Sequence, residues 1–322
     1  MDSAFTAQTR EKTAKEIRFQ TERKNKFSIR IEIRYAGLLI CKTMSLTKSS
    51  VAVITGAASG IGRALAVRFA EEKIAGISIS DVNEQGLNET AEIVKNLGIT
   101  ISAHIIDTSK LEQIELLKTE VLAKHGRTTH LINNAGVGLM GTFEQISLED
   151  FEWLMNINFW GVIYGCKVFL PILKEQESAH IVNISSVFGL VAPPEQTAYC
   201  ASKFAVRGFS ESLRHELEGT NVRVSSVHPG GIKTNIVQNS RVGADTPEEY
   251  KAQGIKFFNK VAVTSPEEAA RVILEGIKKE NPRILIGKDA KMINSIQRLF
   301  PKKYLKMIER IAGHRLDLRK KT

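Results

Sequence analysis

Tyr199 and Lys203 stand four residues apart at the start of a stretch with helical spacing, so their side chains leave one helical face a turn apart. A phenol titrates near 10. An ammonium beside it favours the phenolate and draws that pKa toward neutrality, where the oxygen exchanges a proton with an alcohol or a carbonyl. The spacing arises often by chance, and Ser185-Ser186 sharpens it. The pair closes a β-branched run, with Ser186 13 residues before Tyr199, and ligands of parallel sheets sit outside the carboxyl ends of the strands.

A second constellation lies far upstream. Val51 to Thr55 reads as a buried strand running into Gly56-Ala57-Ala58-Ser59-Gly60-Ile61-Gly62 and then a helix. Glycines let the backbone approach a pyrophosphate closely, and the helix N-terminus offers free N–H groups and a positive dipole end. The cofactor-binding residues expected here are Gly56, Ser59, Gly60, Ile61 and Gly62. Asp81, about 20 residues on and at the end of the next strand, suits the ribose hydroxyls and repels a 2′-phosphate. No cation stands beside it in Val82 or Asn83, and Ser59 rather than a base precedes Gly60. NAD(H) is therefore expected over NADP(H). Asp81 is also suited to cap the helix beginning near Asn83.

These groups need a frame. From Ser50 onward, short β-branched runs alternate with segments of helical periodicity, which predicts an α/β fold, a doubly wound parallel sheet with helices on both faces. Seven strands are expected: Val51–Thr55, Ile74–Ser80, Ile99–Ile106, Thr129–Asn133, His180–Ser185, Val222–His228 and Arg283–Ile286. Ile61–Glu72, Leu111–Lys124 and Ala201–Glu218 space their apolar residues as sheet-packed helices do.

In order and at these spacings the chain resembles the short-chain dehydrogenases/reductases over nearly all of residues 48–287. The motifs are Thr55-Gly56 with Gly60 and Gly62, Asn133-Asn134-Ala135-Gly136, Asn158 with Gly161, Ile184-Ser185-Ser186, Tyr199 with Lys203, and Pro229-Gly230. The resemblance implies a Rossmann-type fold, NAD(H) as cofactor, and Tyr199 as acid/base. Ser186 would hold the substrate oxygen, and Lys203 would bind the nicotinamide ribose and lower the Tyr199 pKa. Asn158 would hold a water in the proton relay. Asp107, ending the third strand, would contact adenine, and Asn134 and Ala135 would line the cleft. Pro229, Gly230, Ile232 and Thr234 would close around the nicotinamide.

Substrate choice in that family falls to the loop after the fifth strand, here Val187 to Pro194, and to the segment after Pro229-Gly230; Leu139-Met140 can contribute. This lining is apolar and predicts a small hydrophobic alcohol, ketone or aldehyde. Gly231 to Lys260 is expected to form a partly mobile lid. Two other readings stay open: a non-catalytic NAD(H)-sensing scaffold, and a reductase of CoA-bound or carrier-bound acyl groups. His215 and His228 lack partners at metal-ligand spacing and read as core residues, so no metal site is expected. Trp153, Phe159 and Trp160 lie on a helix that such proteins commonly use to pair subunits, which implies a homodimer or homotetramer.

The chain of 322 residues carries a net charge of +10, unevenly. Residues 1–43 hold 10 Lys/Arg against 5 Asp/Glu, and residues 291–322 hold 10 against 2. The body between is slightly acidic, and without a basic domain or a motif, nucleic-acid binding is not expected. Residues 1–47 read as a poorly ordered basic leader, 48–290 as the catalytic domain, and 291–322 as a basic amphipathic extension. That extension is expected to serve association, on a subunit or a membrane surface, rather than chemistry. No run of about 18 uninterrupted apolar residues occurs. Three separated cysteines, Cys41, Cys166 and Cys200, suggest reduced thiols, and the expected location is cytoplasmic.

Overall fold

The computed structural model describes residues 46–312 apart from 245 and 247; most of the predicted leader and the last ten residues of the extension lie outside that range. Seven parallel strands form the sheet: β1 (Val51–Thr55), β2 (Gly76–Asp81), β3 (Thr100–Ile105), β4 (His130–Asn133), β6 (Ala179–Ile184), β7 (Val222–Pro229) and β9 (Arg283–Ile286). Their spatial order is β3-β2-β1-β4-β6-β7-β9. Chain direction across the sheet therefore switches between β1 and β4, and a crevice opens beyond their carboxyl ends.

Helices cover both faces because the strands are apolar on both. In β1, Ala52 and Ile54 pack with Leu65 and Phe69 of α1 (Gly60–Glu71), Leu87 and Val94 of α2 (Glu84–Asn96), and Ile273 of α8 (Pro266–Lys278). Val53 points the other way, to Leu117 of α3 (Leu111–His125), Phe169 of α5 (Gly161–Lys174) and Val206 of α6 (Thr197–Glu216). Period-two alternation thus serves two cores at once.

α4 (Leu148–Met155) runs through one π turn, Asn156–Trp160, into α5. The continuous stretch Leu148–Lys174 is long and apolar enough to cross a membrane by length and composition, yet Leu154, Val162, Phe169 and Leu173 are buried inside the fold. Every sheet strand lies within two residues of its expected position. A two-stranded parallel sheet was not foreseen: β5 (Leu139–Met140) pairs with β8 (Arg241–Val242), and two residues are too short for a periodic signal. Residues 231–260, expected as a partly mobile lid, hold β8 and most of α7 (Glu248–Val261). Gly254 of α7 lies against Met140, where a Cβ would come within 2.1 Å of the methionine methyl.

Beyond β9, α9 (Lys288–Leu299) and α10 (Tyr304–Ala312) pack back on the domain, with Ala290 and Ile308 buried. The predicted boundary at residue 290 therefore falls inside a helix.

Candidate active site

The glycine turn is shaped by close approaches. Gly56 and Gly60 have φ of +66° and +54°, a region that disfavours side chains. A Cβ on Gly62 would lie 2.2 Å from the Gly56 carbonyl oxygen. Ser59 caps α1 in extended conformation without using its hydroxyl, and the first N–H groups of a helix have no intrahelical partner. Asn134 fixes the turn from β4, its side-chain amide donating to the carbonyls of Thr55 and Gly56 at 2.9 Å each. The Asn134 and Ala135 amides both donate to the Thr55 hydroxyl.

Asp81 ends β2, and its carboxylate accepts from the N–H groups of Ala58 at 2.9 Å and Asn83 at 3.0 Å. Those bonds orient it and leave lone pairs for a hydroxyl ligand. Capping of α2 falls to Asn83 itself, which accepts from Gly86 N–H. Asp107 does not end a strand: β3 stops at Ile105, and the carboxylate folds into a turn that accepts from the Ser109 amide and hydroxyl. Thr234 stands over the cradle, its methyl 3.0 Å from where a Gly60 Cβ would be. Ile232 is turned into the core, so any hold on a cofactor falls to its backbone. These close approaches and open N–H groups fit a dinucleotide.

On the substrate side, Lys203 is buried and its Nζ donates to the Ile184 carbonyl at 3.1 Å, 5.6 Å from the centre of the Tyr199 ring. Asn158 sits in the π turn, a form that recurs at functional sites. Its amide is engaged: Oδ1 accepts from Val137 N–H, and Nδ2 donates to the Val137 carbonyl and the Ser202 hydroxyl. The side chain thus positions the β4 loop, and a relay water would have to use its remaining acceptor capacity. A Cβ on Gly136 would lie 3.2 Å from Asn158 Oδ1 and 3.4 Å from Lys203 Nζ, so that glycine keeps the space between them open.

The Tyr199 phenol, which Lys203 was expected to draw down, is subject to opposing effects in this structure. Burial pushes the phenol up to about 12, against a downward pull from the Ser186 hydroxyl. The same burial brings Lys203 down to about 8. Withdrawing the ring and the ammonium from water favours their neutral forms, although the Tyr199 side chain keeps part of its surface accessible.

His228 was expected to be a plain core residue, yet it supports the site. Its Nδ1 lies 2.9 Å from the Ser186 carbonyl and its Nε2 2.9 Å from the Ser226 hydroxyl. Because a carbonyl only accepts, Nδ1 carries the proton, and burial lowers the ring pKa to about 4. A neutral imidazole thus anchors the backbone of Ser186.

Three further residues were missed, since nothing local marks them. Asp289 in α9 accepts from Gly231 N–H at 2.7 Å, and a Cβ on Gly230 would lie 2.1 Å from its carboxylate. The Tyr304 hydroxyl of α10 accepts from Ala192 N–H at 3.2 Å. The Tyr250 hydroxyl of α7 donates to the Glu195 carboxylate. These tie remote segments to the two loops bordering Tyr199, and of the three only Tyr304 belongs to the predicted extension. The loop after β6 is apolar, with Val187, Leu190 and Val191 buried and Phe188 edge-on to Tyr199 at 6.2 Å. Leu139 and Met140 are buried, and Leu139 packs with Tyr199. Cys200 is turned toward the Val191 carbonyl, with burial raising its thiol to about 12.

A dinucleotide cradle at the sheet's switch point, with Ser186, Tyr199 and Lys203 converging beside it, defines a nicotinamide-dependent oxidoreductase. Residues 50–245 match the family model for short chain dehydrogenase. The chain is 39% identical to SadH of Mycobacterium tuberculosis over 268 residues, 82% of this chain and 96% of that protein. It is 32% identical to the 3-oxoacyl-[acyl-carrier-protein] reductase FabG of Thermotoga maritima over 227 residues, 70% of this chain and 89% of that one. A short-chain dehydrogenase/reductase from Burkholderia phymatum, solved with NAD, superposes with a TM-score of 0.72 at 29% identity, covering 85% of this chain and 98% of its own. The chain belongs to the short-chain dehydrogenase/reductase family.

Proposed function

We propose that this protein is an NAD(H)-dependent oxidoreductase interconverting a hydrophobic alcohol and its ketone or aldehyde, with Tyr199 as acid/base. The observation that carries the reading is the Ser186 and Tyr199 hydroxyl pair set among apolar side chains at the open end of the sheet. A bound nicotinamide accepts or supplies the hydride. In reduction, the Tyr199 phenol gives its proton to the carbonyl oxygen as the hydride reaches the carbonyl carbon; oxidation is the reverse, and Tyr199 must first lose its proton before Oη takes that of the alcohol. Ser186 orients the oxygen by a hydrogen bond, and Lys203 binds the nicotinamide ribose.

Asp81 supports NAD(H) over NADP(H). The nearby Arg63 guanidinium commits its Nε and Nη2 to Thr90, the Ala58 and Gly86 carbonyls and Glu89, which leaves only Nη1 for other ligands. The similarity to FabG favours a second reading, reduction of a carrier-bound or CoA-bound ketone. The exposed Trp160, in tilted ring contact with Phe159 and Tyr164, supports pairing as a homodimer or homotetramer, and buried free thiols suit a cytoplasmic protein.

The test follows absorbance of NADH and NADPH with a panel of free ketones, alcohols and acyl thioesters. Tyr199→Phe is expected to bind NADH as wild type and to lose at least about a hundredfold in turnover. Near-normal reduction by that variant would mean another acid. A strict thioester requirement would favour the second reading, and no turnover of any class the non-catalytic one.

A further inference from the structure

The two helices beyond β9 expose an unusual face. The exposed residues of α9 are Lys288, Lys291, Met292, Ser295, Arg298 and Leu299, spaced three and four apart along one side. The chain continues through exposed Phe300, Lys302 and Lys303 into α10, where Lys306, Arg310 and Ile311 are exposed. Residues 288–312 thus turn all seven of their Lys and Arg outward. Of the segment's two acids, Asp289 is turned to Gly231, and Glu309, partly buried, lies beside Lys306 and Arg310 on α10. Among the described residues, none of the seven cations is ion-paired. Large apolar side chains stand among them: Leu299 is 72% exposed, Ile311 57%, Phe300 45% and Met292 39%.

We propose that this face docks on an anionic bilayer surface beside the mouth of the substrate site. Cations attract acidic headgroups while leucine, phenylalanine and isoleucine enter the boundary with the acyl chains, the combination that holds an amphipathic helix in an interface. Phosphate backbones of nucleic acid would use the bases and leave the apolar residues in water. A second copy would cover the apolar residues but, across a two-fold axis, set like charges against like. The Tyr304 bond to Ala192 places this surface against the substrate loop, so a lipophilic substrate dissolved in the bilayer would have a short path to Tyr199.

The inference goes beyond the substrate reading, and its test needs no turnover. The full chain is sedimented with vesicles of phosphatidylcholine and with vesicles of phosphatidylcholine mixed with phosphatidylglycerol. Binding to the anionic vesicles alone is expected, released as salt shortens the screening length. Lys302→Ser with Lys303→Ser and Lys306→Ser is expected to weaken it about a hundredfold. Leu299→Ser with Phe300→Ser is expected to weaken it while leaving it salt-sensitive, with thermal melts of both variants matching wild type. Four results would overturn the proposal: no vesicle binding, equal binding to neutral vesicles, undiminished binding by the lysine variant, or a dimer that dissociates when Leu299 and Phe300 are replaced. Because cofactor and substrate are absent, failure here leaves the oxidoreductase reading untouched, and the reverse also holds.

Discussion

The cofactor half and the substrate half of the site are built in opposite ways. The cradle is made of backbone pressed on backbone: Gly62 against Gly56, Asn134 on two carbonyls, and Asp81 on Ala58. Its parts sit at the ends of β1, β2 and β4, three neighbouring strands. The substrate half is held by side chains reaching in from outside the loops they fix: Tyr250 to Glu195, Tyr304 to Ala192 and Asp289 to Gly231. A close-packed turn has no alternative arrangement, so the first half tolerates little. Hydrogen bonds at the surface are each worth about 1 kcal/mol, so the second half is expected to lose function by degrees.

Gly62→Val gives the largest test of that contrast. With no space for a Cβ, the turn must open, and NADH titration by fluorescence is expected to show no saturable binding in a chain that still melts cooperatively. Intact binding would mean the cradle yields far more easily than its contacts imply.

Acid supplies the next largest effect. Burial lowers His130 and His228 to about 4 and His180 to about 3. The unfolded chain, titrating near 6.5, therefore binds more protons across that window, and stability falls as pH drops from about 6.5 toward 4. The loss is on the order of several kcal/mol in all, read as a falling melting temperature. His228→Gln, which keeps a donor for the Ser186 carbonyl, is expected to reduce that acid sensitivity. An unchanged pH dependence would remove His228 from the account.

Asp289→Asn tests the substrate half. The charged acceptor bonds Gly231 N–H at the start of a helix, where a carboxylate also suits the dipole, so about 1.5–3 kcal/mol is at stake. Turnover and NADH affinity are expected to fall about tenfold with the fold retained. Tyr304→Phe removes a single partly exposed bond to Ala192. A change of about twofold, in KM for a large substrate rather than in cofactor affinity, is the expected result.

The residues explain which half was legible. Gly56, Gly60, Gly62 and Asp81 announce themselves because their jobs depend on backbone freedom or charge at fixed places after a strand. Tyr199 and Lys203 do so because one helical turn joins them. Nothing in the sequence around Asp289, Tyr250 or Tyr304 sets them apart from surface residues. Their partners lie 58, 55 and 112 residues away, a pairing that no local pattern encodes.

By itself, the sequence determined the parallel sheet, the order of its strands along the chain, the glycine cradle and the helix carrying Tyr199 and Lys203, since strand periodicity, glycine and helical spacing act within a few residues. Only the tertiary structure decided the surroundings of the titratable groups and the ties on the neighbouring loops. The surroundings of Tyr199 and Lys203 come from segments remote in the chain, and desolvation there opposes the shift that their spacing alone predicts for the phenol. His228 became an anchor for Ser186 because β6 and β7 are neighbours in the sheet, and the C-terminal helices reach the loops at Ala192 and Gly231 because they fold back on the domain. Dielectric environment and long-range contact are properties of the packed chain, and no window of sequence contains them.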